Sequence, residues 1–167
     1  SFSTKELESL VGAGQSLEVV VITPKCVLVP ATEYNSLHKV DYLTTMGVVP
    51  SVSECVVDTP IINNIVAVMS IDNEFAQTLL NLKTDSTFTT PLLSNETIEQ
   101  GTIIELIDNT LFVRVYNKGL LFAEAMEVSS DADIIHILQR LNNIYDIYNM
   151  SARALGDPER ISRICQR

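Results

Sequence analysis

The chain has 167 residues, 46% of them hydrophobic, and a mean hydropathy of +0.21, which is enough apolar material for one domain or two small lobes. With 11 Lys plus Arg against 21 Asp plus Glu, its net charge of −10 repels phosphate backbones and anionic bilayers, so nucleic acid is excluded as a partner class. No apolar run nears the roughly 20 residues of a membrane-spanning helix, and no signal peptide is evident, so a cytoplasmic protein without membrane insertion is expected. Trp is absent and aromatics make up only 6%, so Ile, Val and Leu must fill the core, as suits sheets covered by helices.

In chain order, "TKELESLV" (4 to 11) suits a short helix capped by Thr4. "LEVVVITPKCVLVP" suggests two strands folded into a tight hairpin about Thr23 and Pro24. Residues 31 to 46 place Tyr34, Leu37, Val40, Tyr42 and Leu43 in helical rhythm, with Gly47 as the stop. "SECVVDTP" and "NNIVAVMSI" suit an antiparallel pair broken at Pro60. Asp72 is positioned to cap a helix holding Phe75, Leu79, Leu80 and Leu82, and "STFTT" suits an edge strand. Pro91 opens a short helical or irregular stretch.

From Gly101 a meander is expected: strands at 103 to 107, 111 to 116 and 120 to 128, with turns at Asp108-Asn109 and Asn117-Lys118-Gly119. Ser129 or Ser130 then caps a long amphipathic helix whose apolar set is Ile134, Ile137, Leu138, Leu141, Ile144, Tyr145 and Tyr148. "SARALGDPERISRICQR" closes as a strand, a turn at Gly156-Asp157 and a helix entered through Pro158.

Most catalytic chemistries lack their residues. Cys26, Cys55 and Cys165 are odd in number and widely spaced, so free, mostly buried thiols are expected, with neither a disulfide framework nor a zinc site. His38 and His136 stand alone and read as half-buried, hydrogen-bonded side chains without a nucleophile motif. The carboxylates of "SSDAD" suit the positive end of the helix that follows. No P-loop, G-x-G-x-x-G or H-E-x-x-H occurs.

Three antiparallel strands, a helix, a strand and a helix form the unit repeated in ribonuclease H-like and actin-like ATPase folds. The stretches "TPKCVLVPATEYN" (23 to 35), "STFTTPLLSN" (86 to 95) and "IELIDNTLFVRVYNKGLLFAEAMEVSSDADIIHIL" (104 to 138) resemble a bacterial family of unknown function with an actin-like ATPase fold of two related lobes. That family is distantly similar to the pilus-assembly and cell-division ATPases. The resemblance implies an α/β, mixed α+β chain with a partial first lobe at 1 to 99 and a second ribonuclease H-like lobe at 100 to 167. Members usually carry another meander before the helix equivalent to 4 to 11, and the sequence has no initiator Met, so a fragment with an incomplete first lobe is expected.

Active members of the wider superfamily hold phosphate at a D-x-G-x-x-T turn. Glycine there lets the backbone reach phosphate, and the acid organises magnesium and water. The resemblance lays this motif on Glu105, Leu106, Ile107, Asp108, Asn109 and Thr110. Glu105 replaces Asp and Thr110 matches, but the β-branched Ile107 fills the glycine position and Asp108 adds a negative charge. The adenosine turn corresponds to "ALGDPERI", with Gly156 and Asp157, where helix capping explains every residue. These six positions, Glu105, Asp108, Asn109, Thr110, Gly156 and Asp157, are the expected remnants of a degenerate nucleotide site.

The resemblance therefore points to a catalytically silent fold without cofactor or metal, acting as a protein-recognition scaffold or adaptor toward an unidentified protein. The alternatives are an ATPase that uses ATP and magnesium with phosphate contacts outside this chain, and a structural homo-oligomer.

Overall fold

The computed structural model describes residues 16–82, 85–94 and 98–165, so the helix expected at 4 to 11 lies outside the described residues. The described chain is a mixed α+β structure with three sheets. It divides into two compact units: one contains Lys25–Thr90 with the chain up to Val21, and the other contains Ile22–Pro24 and Pro91–Arg167.

The first unit is built on a three-stranded antiparallel sheet, β2 (Cys26–Pro30), β4 (Ile65–Asp72) and β3 (Glu54–Asp58), with β4 in the centre. Alternate residues of β2 and β4 bring Val27 opposite Val68 and Val29 opposite Val66. Val27, Val29 and Val68 cluster with Leu43 of helix α1 (Lys39–Thr45). Helix α1 stops as its sequence suggests. Gly47 takes φ +79, and the N–H groups of Gly47 and Val48 donate to the carbonyls of Thr44 and Leu43, a left-handed cap that few residues other than glycine tolerate. Helix α2 (Asn73–Leu82) starts directly after β4, where Asp72 Oδ1 accepts the Phe75 N–H at 2.8 Å. Of the apolar set expected on α2, Leu79 is buried, whereas Phe75 is exposed.

The hairpin expected about Thr23-Pro24 does not form. Strand β1 (Glu18–Val20) instead pairs in parallel with β5 (Thr87–Thr89), in a sheet separate from β2. Proline fixes φ near −65°, whereas the two-residue turns that match strand twist need positive φ, so Thr-Pro suits a connector better than a hairpin tip.

The second unit carries the meander β6 (Gln100–Ile107), β7 (Thr110–Asn117) and β8 (Leu120–Glu127), with β9 (Ala152–Gly156) added in parallel outside β6. The sheet order is β8-β7-β6-β9. Asp108 supplies the positive φ (+52) of the first turn. In the second it is Lys118 (φ +58), and not the neighbouring Gly119, that is left-handed.

Helix α3 (Asp131–Tyr145) lays Ile134, Leu138 and Leu141 over Leu106, Leu111, Val113 and Val115 of the sheet, and helix α4 (Pro158–Cys165) brings Ile164 to the same core. The other face is partly covered by a 3-10 turn at Pro91–Leu93, which packs on β7 and β8, and the buried Arg114 donates to the Ser94 carbonyl at 3.3 Å. Ile144 and Tyr148, counted by their spacing with the apolar face of α3, are 68% and 60% exposed. His38 and His136 are also exposed rather than half-buried, and His38 Nδ1 lies 2.8 Å from Asp41 Oδ2.

Candidate functional site

At one end of the four-stranded sheet, the two turns singled out from the sequence come together. β6 runs antiparallel to β7 and parallel to β9, so Ile107 faces Thr110 across the first hairpin and Leu106 stands beside Gly156. The Asp108-Asn109 turn and the Gly156-Asp157 turn therefore cap neighbouring strands. Glu105 lies two residues inside β6, paired with Phe112 and Leu155. By alternation it shares the sheet face of Ile103 and Ile107, opposite the helix-covered face of Leu106. Thr110 is buried at the start of β7.

Each turn is occupied by the chain's own groups. Asn109 accepts the Val128 N–H through its carbonyl at 2.8 Å. Arg160, in the first turns of α4, donates from Nη1 to the Asp108 carbonyl at 3.1 Å and from Nε to Asp131 Oδ1 at 2.9 Å. One guanidinium thus fastens the β6–β7 turn and the start of α3 to α4. The sequence signal for Arg160 was slight: a basic residue one turn beyond the glycine, read only as a helix position.

The helix ends close on themselves as well. Ser130 and Asp133 form a capping box at α3: Asp133 Oδ2 accepts the N–H groups of Ser129 and Ser130, both at 2.9 Å, and Ser130 Oγ accepts the Asp133 N–H at 3.3 Å. Those donated N–H groups, Ser129 first, hold the Asp133 carboxyl below its ordinary range. Asp157 Oδ1 accepts the Glu159 N–H at 3.0 Å, so Asp157 caps α4 with Pro158 in the first helical position. Gly156 has φ +131, and a Cβ there would overlap the Leu106 carbonyl oxygen, so close approach of β9 to β6 requires glycine. No group of His, Cys, Asp and Glu suited to a metal occurs among the described residues.

Neither Cys26 nor Cys55 offers a nucleophile. Cys26 and Cys55 are free. Cys26 is buried, and burial pushes its thiol up to about 12, so it stays protonated. Burial also raises the half-buried Cys55 thiol.

No protein-family model and no curated protein matches the sequence. The fold is similar to that of a Bacteroides thetaiotaomicron protein with an actin-like ATPase fold and unknown function. The TM-score is 0.74 at 13% identity, over 98% of this chain and 71% of that one. It is also similar to the cytoplasmic domain of EpsL, an inner membrane component of the type II secretion system of Vibrio cholerae. Here the TM-score is 0.51 at 14% identity, over 92% of this chain and 68% of that one. The chain thus has the actin-like ATPase fold, and at such identities the likeness extends to fold alone. No described helix is long and apolar enough to cross a membrane.

Proposed function

We propose that this is a non-catalytic member of the actin-like fold, working in protein recognition as a scaffold or adaptor, and that its two compact units are the two lobes of that fold. In this reading Glu105, Asp108, Asn109, Thr110, Gly156 and Asp157 are the remnants of a nucleotide site that no longer takes ATP and magnesium. The observation that carries it is the clasp of Arg160 on the Asp108 carbonyl and Asp131. A phosphate group needs donors at this end of the sheet, and the guanidinium is already committed to two acceptors.

Electrostatics and shape support the same reading. Asp108, Asp131, Asp133 and Asp157 gather about these two turns and helix starts, and at the start of α3 the Asp133 N–H is taken by Ser130 Oγ while Asp133 Oδ2 takes the Ser129 and Ser130 N–H groups. A polyphosphate brought here meets several carboxylates, and two unit charges about 4 Å apart repel by about 1 to 4 kcal/mol. The branched side chain of Ile107 occupies the strand end where backbone would have to approach phosphate. The EpsL domain belongs to a secretion-system component, and by analogy the present chain would serve a cytoplasmic protein assembly.

Calorimetric titration of ATP with magnesium tests this reading. The expected result is no heat of binding at millimolar nucleotide and no thermal shift. Micromolar binding would overturn the reading in favour of an ATPase.

A further inference from the structure

From the groove between β8 and α3, we infer a docking site for one extended peptide strand that carries a basic residue between apolar residues at alternate positions. This inference rests on the protein-recognition reading above. Strand β8 ends the sheet order and pairs only with β7 among the described residues, so no strand occupies its outer backbone edge, and Pro24 lines the groove beside it. A register shift opposite Val115 and Tyr116 leaves Leu121 as an extra, half-exposed residue, and Phe122–Glu127 continues as the regular part of the edge.

The groove beside that edge has a volume of about 500 Å³. Register fixes its strand wall: Phe122, Glu124 and Met126 stand opposite Val115, Val113 and Leu111, so all three share the helix-covered face. Its helix wall is the i, i+3, i+4, i+7 stripe Ile137, Arg140, Leu141 and Ile144 of α3. Leu141 is buried at the base, whereas Ile144 stands 68% exposed at the lip. A strand added beside β8 would point every second side chain into this groove, between the two walls.

Glu124 selects the occupant. It is exposed between the half-buried Phe122 and Met126, and a cross-strand partner would stand about 5 Å from it. A Lys or Arg at that place answers the carboxylate, and apolar residues two positions to either side cover Phe122 and Met126. An acidic residue there is rejected, so the same side chain discriminates among strands. Arg140 lines the helix wall of the same groove and is exposed, so an acidic residue of the strand is answered only on the helix side, whereas the strand wall presents Glu124. A second copy of β8 fits poorly, because self-pairing sets Glu124 and Glu127 of both copies along one short edge in a chain of net charge −10.

The test is NMR titration of the isotope-labelled protein with short capped peptides of core Val-Thr-Lys-Thr-Val and Val-Thr-Glu-Thr-Val. The expected result is that the lysine peptide shifts amides of β8 and α3, and that Glu124→Lys weakens it about tenfold while admitting the glutamate peptide. Ile144→Ser, a change at an exposed position, is expected to weaken the lysine peptide several-fold and serves as a second variant should Glu124→Lys disturb the fold. Silence at β8 at millimolar peptide, or equal response of wild type and Glu124→Lys to both peptides, overturns the strand site. If ATP also gives no heat, that failure leaves the non-catalytic reading standing. ATP binding together with peptide shifts at β8 would instead overturn that reading and keep the strand site.

Discussion

The two units reach order by different means. In the second, a 15-residue helix covers a sheet face on which Leu106, Leu111, Val113 and Val115 are all buried, and this continuous apolar contact is supplemented by the Arg160 clasp at one end. In the first, α1 has seven residues and its cluster of buried residues comprises Val27, Val29, Leu43 and Val68, so polar ties at the margins carry more of the positioning. Asp58, at the end of β3, accepts from Lys39 Nζ of α1 at 2.5 Å and from the Tyr34 hydroxyl, while Tyr34 stacks on Tyr42 with ring centroids 5.9 Å apart. Lys25, just before β2, meets Glu54 at the start of β3 at 2.7 Å, joining the two strands that flank β4. The short helix adds two charged or polar ties to a small apolar cluster, and the long one adds a single ion pair to a larger one.

The contrast breaks most readily where the apolar unit loses volume. Leu111→Ala is expected to cost about 2 to 5 kcal/mol in denaturant unfolding, because a fully buried side chain leaves a cavity between sheet and helix. In the first unit, Asp58→Ala removes the acceptor of two donors and is expected to cost about 2 to 3 kcal/mol, with Asp58→Asn costing less. A neutral response to Asp58→Ala would mean that the apolar cluster positions α1 unaided.

Acidification probes the polar ties of the first unit. Lys25, then the Ser51 N–H, hold the Glu54 carboxyl at about 2, below its ordinary 4.5. At Asp58 burial acts upward, but the hydrogen bonds of Lys39 and Tyr34 outweigh it and the carboxyl lies low. Both groups have folded values below their unfolded ones, so their stabilisation is complete above the unfolded value and is lost as pH falls through the folded one. Unfolding followed by a first-unit probe should therefore weaken from about pH 4.5 toward 2, and Glu54→Gln should flatten that slope. A slope unchanged by Glu54→Gln would assign the loss to other carboxylates.

Smaller effects sharpen the picture at the element ends. Arg160→Ala is expected to cost about 1 to 2 kcal/mol, through two lost hydrogen bonds at the turn cluster. If a nucleotide site lies masked beneath the guanidinium, the same variant would gain ATP binding in the calorimeter, and none is expected. Asp72→Ala, which removes the α2 cap, is expected to cost about 1 kcal/mol by thermal denaturation.

The actin-like fold was legible because its signals are local. The Asp108-Asn109 turn, Ser130 before α3 and Asp157-Pro158 before α4 each announce themselves within a few residues, and the structure has a turn or cap at each. What escaped depended on partners far along the chain. The parallel pairing of β1 with β5 spans most of the first unit, so the run across Thr23-Pro24 resembled a hairpin when viewed locally. Arg160 acquires its place only when β9 brings α4 beside residues 52 and 29 positions earlier. Ile144 keeps the helical period yet faces outward at the lip of a groove, and periodicity cannot distinguish such a residue from a core one.

The placement of β9 bears on the order in which the second unit assembles. β6, β7 and β8 join through turns of two residues, so their contacts close quickly, whereas β9 must wait for α3 before it can reach the outer side of β6. Until then β6 is itself an unprotected edge, and the growing sheet can recruit a strand on either side. Docking of the Gly156 backbone against Leu106 covers β6 and passes that edge to β9, so the finished four-stranded sheet ends in the five-residue β9 on one side and the eight-residue β8 on the other.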